Sequence, residues 1–187
     1  FKKKKLKKKI GIFGGTFDPP HKGHIQIANF SLKKLNLDYL IWSITNKNPL
    51  KKKPMLSIKT RTYLCKKMTS GIQNIKIKNF DASIKSSKTI DLLKFMKQKH
   101  KGTMLYFIIG SDNLLNLHKW QGWKKFQDFC KIVIFTRQGY FKKTAACKAY
   151  KYLDKTKLIF IRTKITNISS SQIRKNYLLY KEWRSRN

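Results

Sequence analysis

The sequence predicts an α/β fold, a three-layer sandwich with a mainly parallel central sheet. Short runs rich in apolar and β-branched residues alternate along the chain with segments of helical apolar spacing, the pattern of repeated strand–helix units. The strand-like runs are apolar at nearly every position, as in strands buried on both faces. The first of them passes into a helix through a glycine-containing loop, where an antiparallel hairpin would have a tight two-residue turn.

Ile10, Ile12 and Phe13 mark the first strand, and Gly14-Gly15 is read as a sharp turn that brings backbone close to a ligand with no Cβ in the way. Ile25, Ala28, Leu32 and Leu35 recur at helical spacing, so His24 falls at a helix start, where N–H groups and the helix dipole favour an anion. His21 lies three residues before His24, which puts both imidazoles on one side of the first turn. Asp38 to Ile44 reads as a second buried strand. Ser57 caps a helix running to Lys67 and ending near Gly71, and Ile75 and Ile77 alternate with lysines in a strand with one wet face.

Ser87 or Thr89 opens the next helix as a cap. Met104 to Ile109 is the most apolar strand and ends at Gly110-Ser111-Asp112-Asn113. Ligands of open α/β sheets bind outside the carboxyl ends of strands, so Asp112 can accept both hydroxyls of a ribose there, or cap the following helix. Trp120 and Trp123 read either as core or as a stacking wall for a flat heterocycle. Lys131 to Thr136 and Leu158 to Ile161 are further strands, with a helix over 144–153 between them. Ser169-Ser170-Ser171 before Ile173-Arg174 places N-cap hydroxyls, free N–H groups and a bidentate guanidinium at one more helix start.

The chain has 187 residues and a mass of 22.1 kDa, enough for one domain, expected over residues 10–187 behind a flexible basic arm, residues 1–9, that holds seven lysines. Lys and Arg number 44 against 8 acidic residues, a net charge of +36. Such a balance attracts polyanions, nucleic acid included, but only as nonspecific electrostatic binding. Cys65, Cys130 and Cys147 are widely spaced and suggest neither a disulfide framework nor a zinc site, which fits a reducing, cytoplasmic setting. Met104 to Ile109 is far short of the ~20 apolar residues of a membrane helix, and no membrane partner is expected. Nothing in the sequence fixes the oligomeric state.

The stretch Gly14-Gly15-Thr16-Phe17-Asp18-Pro19-Pro20-His21-Lys22-Gly23-His24 resembles the H-x-G-H signature of the nucleotidyltransferase superfamily, and Ile168-Ser169-Ser170-Ser171-Gln172-Ile173-Arg174 resembles its second motif. Within the superfamily the chain is similar to the bacterial nicotinate-nucleotide adenylyltransferases from Ile10 to about Arg174. The resemblance implies a Rossmann-like, HIGH-type fold and adenylyl transfer from ATP to nicotinate mononucleotide, giving deamido-NAD and pyrophosphate, with Mg²⁺ carried by ATP and no prosthetic group. His21, His24 and Arg174 would be catalytic. With Gly14, Gly15, Lys51, Gly110, Asp112, Ser169, Ser170 and Ser171 they would bind ATP. Gly15, Thr16, Phe17, Thr89, Trp120 and Arg137 would bind the mononucleotide. Another adenylyl- or cytidylyltransferase with a different acceptor, or a basic nucleic-acid-binding protein on the same fold, stands as the alternative.

Overall fold

The structure is a computed structural model and describes residues 7–48, 50, 52–136, 141–162 and 168–186. Within them, six strands form one sheet: β1 (Lys9–Gly15), β2 (Tyr39–Ile44), β3 (Ile75–Lys78), β4 (Met104–Gly110), β5 (Lys131–Thr136) and β6 (Leu158–Arg162). Their order is β3-β2-β1-β4-β5-β6, and every neighbouring pair is parallel. The connections carry α1 (Lys22–Lys34), α2 (Ile58–Met68), α3 (Thr89–Lys99), the short α4 (Ser111–Asn116), α5 (Phe141–Ala146) and α6 (Lys148–Tyr152); α7 (Ser170–Arg186) follows β6.

The two-residue period of the strands sorts their side chains into two cores. Ile10 and Ile12, Phe107 and Ile109, and Ile132 and Ile134 face one side, under Ile90, Leu93 and Met96 of α3 and Leu114 of α4. Phe13, Leu40, Trp42, Ile108, Val133 and Phe135 face the other, under Ile27 and Ala28 of α1 and Cys65 of α2. Burial on both faces explains why these strands read as unbroken apolar runs. Between β1 and β4 the winding of the sheet reverses direction, and a crevice opens there at the strands' carboxyl ends.

Several local expectations are corrected. Gly14 and Gly15 do not form the turn, because both remain paired in β1, opposite Ser43 and Ile44; the chain turns two residues later, at Phe17, whose φ is 49°. The face of α1 that is most deeply buried is Gly23, Ile27, Ala28 and Ser31, while Ile25, Leu32 and Leu35 pack at its margin. Small residues let the helix sit close to the sheet, and the Ser31 hydroxyl donates to the Ile27 carbonyl at 2.7 Å. The helix expected over 144–153 is two pieces, broken at the extended Cys147, whose Sγ caps α6 by accepting the Tyr150 N–H. Neither Ser87 nor Thr89 caps α3: Lys88 holds the cap position without a side-chain bond, and Thr89 is the first helical residue. Asp112 likewise sits inside the first turn of α4, with Gly110 at the cap position. Of the basic segment, Lys9 opens β1 and the Lys8 carbonyl accepts the Met104 N–H at 2.8 Å.

Gly11 is fixed by packing. A Cβ on it would stand 2.6 Å from Leu37 Cδ1 and 3.0 Å from Ile108 Cδ1. Gly11→Ala should therefore overpack the α1 side of the sheet and cost about 1–3 kcal/mol, read as a lower urea midpoint with an unchanged m-value.

Candidate active site

A cavity of about 660 Å³ fills the crevice between the ends of β1 and β4. It is lined by the β1–α1 connection, the β4–α4 connection, the first residues of α3 and the first turn of α7.

His21 caps α1 from an extended backbone conformation, and its N–H donates to Nδ1 of His24 at 3.1 Å. With Nδ1 accepting, the proton of the neutral His24 ring sits on Nε2, so the ring can act as a hydrogen-bond donor. The imidazoles lie on one side, as their spacing predicted, and stack with centroids 3.7 Å apart. Beneath them, the buried Phe17 ring meets His24 edge-on at 5.0 Å and packs on Phe13 and Trp42. A Cβ on Gly15 would stand 3.2 Å from that ring, a tight fit, and Phe17, expected to bind substrate, braces His24 from below. Gly23, in the first turn of α1 where N–H groups lack intrahelical acceptors, also lines the cavity.

The loop between β1 and α1 is held from two directions. The Asp18 carboxylate accepts the N–H groups of Met55 and Leu56 at 2.7 and 2.9 Å, which ties the loop to the entrance of α2. From the other side, Ser170 Oγ donates to the Pro19 carbonyl at 2.8 Å and Arg174 donates to the Asp18 carbonyl. Arg174 Nη1 is 3.8 Å from the Asp18 carboxylate, and Nη2 donates to Ser171 Oγ at 3.1 Å. Ser169 Oγ caps α7 by accepting the Gln172 N–H. The second motif thus reaches the first directly. In this arrangement Ser170's single O–H is given to the Pro19 carbonyl.

Asp112 is exposed at the cavity edge, and its carboxylate lies directly over Gly110, so a Cβ there would push that side chain to another rotamer. Trp120 serves two surfaces: it meets Phe107 and Phe126 edge-on on its core side and lines the cavity on the other. Trp123 is core, buried against Tyr152. Thr16 and Thr89 line the cavity as well. Lys51 and Arg137 lie outside the described residues.

Two residues that sequence reasoning passed over organise the site. Arg61, in α2, is buried and donates to the carbonyls of Leu56, Thr16, Thr45 and Asn46 at 3.0, 2.5, 2.8 and 3.2 Å. Burial pushes its guanidinium below its ordinary value, opposed by Asp18, Cys65 and Asp81. Asp81 accepts the Thr45 hydroxyl and the Asn46 N–H at 2.9 and 2.7 Å. A signal existed: in a chain with 38 lysines and six arginines, an arginine inside a helix marks a need for a planar fork. Burial pushes the thiols of Cys65 and Cys130 up to about 12, so neither is a thiolate nucleophile near neutral pH. Lys47 and Lys119 also line the cavity.

This fold is shared with solved structures of Plasmodium falciparum nicotinic acid mononucleotide adenylyltransferase, complexed with APC and with NaAD. The TM-scores are 0.71 and 0.72 at 21% identity, covering 90% of this chain and 83% of those chains. It is a Rossmann-like nucleotidyltransferase fold, and a family model described as cytidylyltransferase-like matches residues 12–176. Among curated relatives, the probable nicotinate-nucleotide adenylyltransferase of Pelagibacter ubique is 44% identical over 169 residues, 90% of this chain and 93% of its own length. The one from Nitratiruptor sp. is 39% identical over 133 residues, 71% of this chain and 75% of its own length. The chain belongs to the nicotinate-nucleotide adenylyltransferase family of these cytidylyltransferase-like proteins.

Replacing Arg61 by Lys keeps one charge but cannot reach four diverging carbonyls. At least one of these part-buried carbonyls then loses its donor, at about 1.5–3 kcal/mol for a hydrogen bond to a charged group. The expected outcome of Arg61→Lys is a lowered urea midpoint together with a raised Michaelis constant for the substrate held by the β1–α1 loop.

Proposed function

We propose that the chain joins ATP to nicotinate mononucleotide. An oxygen of the mononucleotide 5′-phosphate attacks the α-phosphorus of ATP, the bond from that phosphorus to the oxygen bridging to the β-phosphorus breaks, and pyrophosphate leaves with the electron pair. The product is deamido-NAD. The observation that carries this reading is the locked His21–His24 pair at the start of α1, inside a crevice that the start of α7 also lines. Family membership supports the same reaction.

A phosphate monoester near neutral pH is already an anion, so no strong general base is required. The work is alignment and charge neutralisation. His24 would donate from Nε2 to the α-phosphate and its bridging oxygen, where negative charge grows as the bond breaks, and His21 would contact the same phosphates. Gly14, Gly15 and Thr16 would offer backbone to the mononucleotide phosphate. Ser169, Ser170, Ser171 and Arg174 would receive the β- and γ-phosphates, with Ser170 and Arg174 exchanging their present contacts to Pro19 and Asp18 for them. Lys51 and Arg137 would add positive charge to the triphosphate and the nucleotide end. Asp112 would accept the adenosine ribose hydroxyls beside Gly110, and Trp120 and Thr89 would hold the pyridine ring.

Mg²⁺ would ride on the triphosphate, because Asp18, the carboxylate beside the glycines, is engaged by two backbone N–H groups and by Arg174. Bound there, the ion neutralises phosphate charge. We assign the activity to one domain, residues 10–187, and to the cytoplasm. Among the described residues no helix is long and apolar enough to cross a membrane.

Incubation with ATP, Mg²⁺ and nicotinate mononucleotide should yield a dinucleotide and pyrophosphate; pyrophosphate formed with no dinucleotide would count against the acceptor. His24→Ala should lower kcat by about 10²–10³, with thermal stability close to wild type. Trp120→Ala should raise the Michaelis constant for the mononucleotide by an amount equivalent to about 1–3 kcal/mol, the scale of aromatic stacking on a base, and leave that for ATP much less changed. An equal rise in both would make the tryptophan purely core.

A further inference from the structure

The end of the sandwich opposite the cavity holds a concentration of positive charge that adenylyl transfer does not use. The parallel topology puts the first residues of every strand there, together with the last turns of the helices that precede them. Those last turns carry Lys33 and Lys34 in α1, Lys66 and Lys67 in α2, and Lys97 and Lys99 in α3. A cation at a helix C-terminus is favoured by the dipole, which accounts for part of this pattern.

It does not account for the charges at the strand starts. Lys76 Nζ of β3 stands 4.2 Å from the centroid of the Tyr39 ring, and Lys8 Nζ, just ahead of β1, stands 5.5 Å from the same centroid. The His100 ring meets that tyrosine edge-on at 6.4 Å. Burial holds the His100 imidazole below its ordinary value, and Lys99, Lys76 and Lys8 push it further the same way, so three ammonium fields converge at one spot. Among the described residues, the carboxylate at this part of the edge is Asp38, whose Oδ2 already accepts the Lys9 N–H at 2.6 Å. In the sequence Lys2 to Lys5 immediately precede this point.

We infer that this end of the molecule is a docking surface for the phosphate backbone of nucleic acid, independent of the catalytic cavity at the other end. Tyr39 lies under two ammonium groups and is not open to stacking, so the surface meets phosphates and carries no base readout. Among the described residues, none of the exposed large apolar side chains belongs to these strand starts or to the last turns of α1, α2 and α3, so this part of the surface offers no apolar face of the kind by which an amphipathic element enters a membrane.

The test is fluorescence anisotropy with a labelled 20-base-pair DNA duplex and the full chain, with circular dichroism confirming that each variant is folded. Lys76→Glu/Lys99→Glu should weaken binding at least tenfold. Lys59→Glu/Lys94→Glu, an equal change of charge placed elsewhere on α2 and α3, should weaken it less than twofold. Two lost phosphate contacts should flatten the slope of log K against log salt by about 1.8, at ~0.9 per contact on B-DNA. Lys76→Gln/Lys99→Gln should fall between wild type and the Glu pair. Saturating ATP should leave duplex binding unchanged. Equal loss in the two Glu pairs would reduce the effect to net charge, displacement by ATP would put the duplex in the cavity, and binding to phosphatidylserine vesicles without binding to the duplex would make the partner a lipid surface; each would overturn the proposal.

Discussion

Backbone carbonyls from three separate stretches of the chain converge on the buried guanidinium of Arg61: Thr16 from the end of β1, Thr45 and Asn46 from the end of β2, and Leu56 from the approach to α2. Carbonyls pointing at one another repel, and these are only partly open to water, so a cation with several diverging donors draws the carboxyl ends of β1 and β2 together. Arginine supplies them in a fixed plane. The position of Thr16, and with it the entry into the Phe17–His21 loop, follows from that one side chain.

The loop is then closed by residues far away in sequence. Asp18 holds the N–H groups of Met55 and Leu56, while Ser170 and Arg174 at the start of α7 reach back to Pro19 and Asp18. These bonds join the first and last helix starts across more than 150 residues. The two helix N-termini that favour anions therefore open into one cavity as a consequence of protein–protein hydrogen bonds. This also gives Arg174 a resting partner, so a triphosphate would have to exchange with a contact the folded chain already makes.

Charge is divided between the two ends of the sheet by topology. Strands that run in parallel send helix starts to one end and helix finishes to the other, so donors for phosphate collect at the cavity and lysines favoured by helix C-termini collect opposite. A lysine-rich composition read without the fold gives only a total. The arrangement of strands turns that total into two distinct surfaces, a cavity lined by histidines, serines and a few cations, and an opposite edge with ammonium groups around Tyr39.

By itself the sequence determined the class of fold, the strands and most of the helices, and the two helix starts that meet at the cavity. Each of these depends on local periodicity or on a few consecutive residues: the apolar runs of β1, β4 and β5, the Ser57 cap, and the His21–His24 spacing that does put the two rings on one side. Only the tertiary structure decided which residues support the site. That Gly11 lets Leu37 and Ile108 close over β1 is a fact of packing between segments. That Ser170's hydroxyl answers Pro19, that Cys147 breaks a helix, and that Arg61 is the buried hub were likewise hidden, because a hydrogen-bond partner 45 or 151 residues away leaves no periodic trace in the chain.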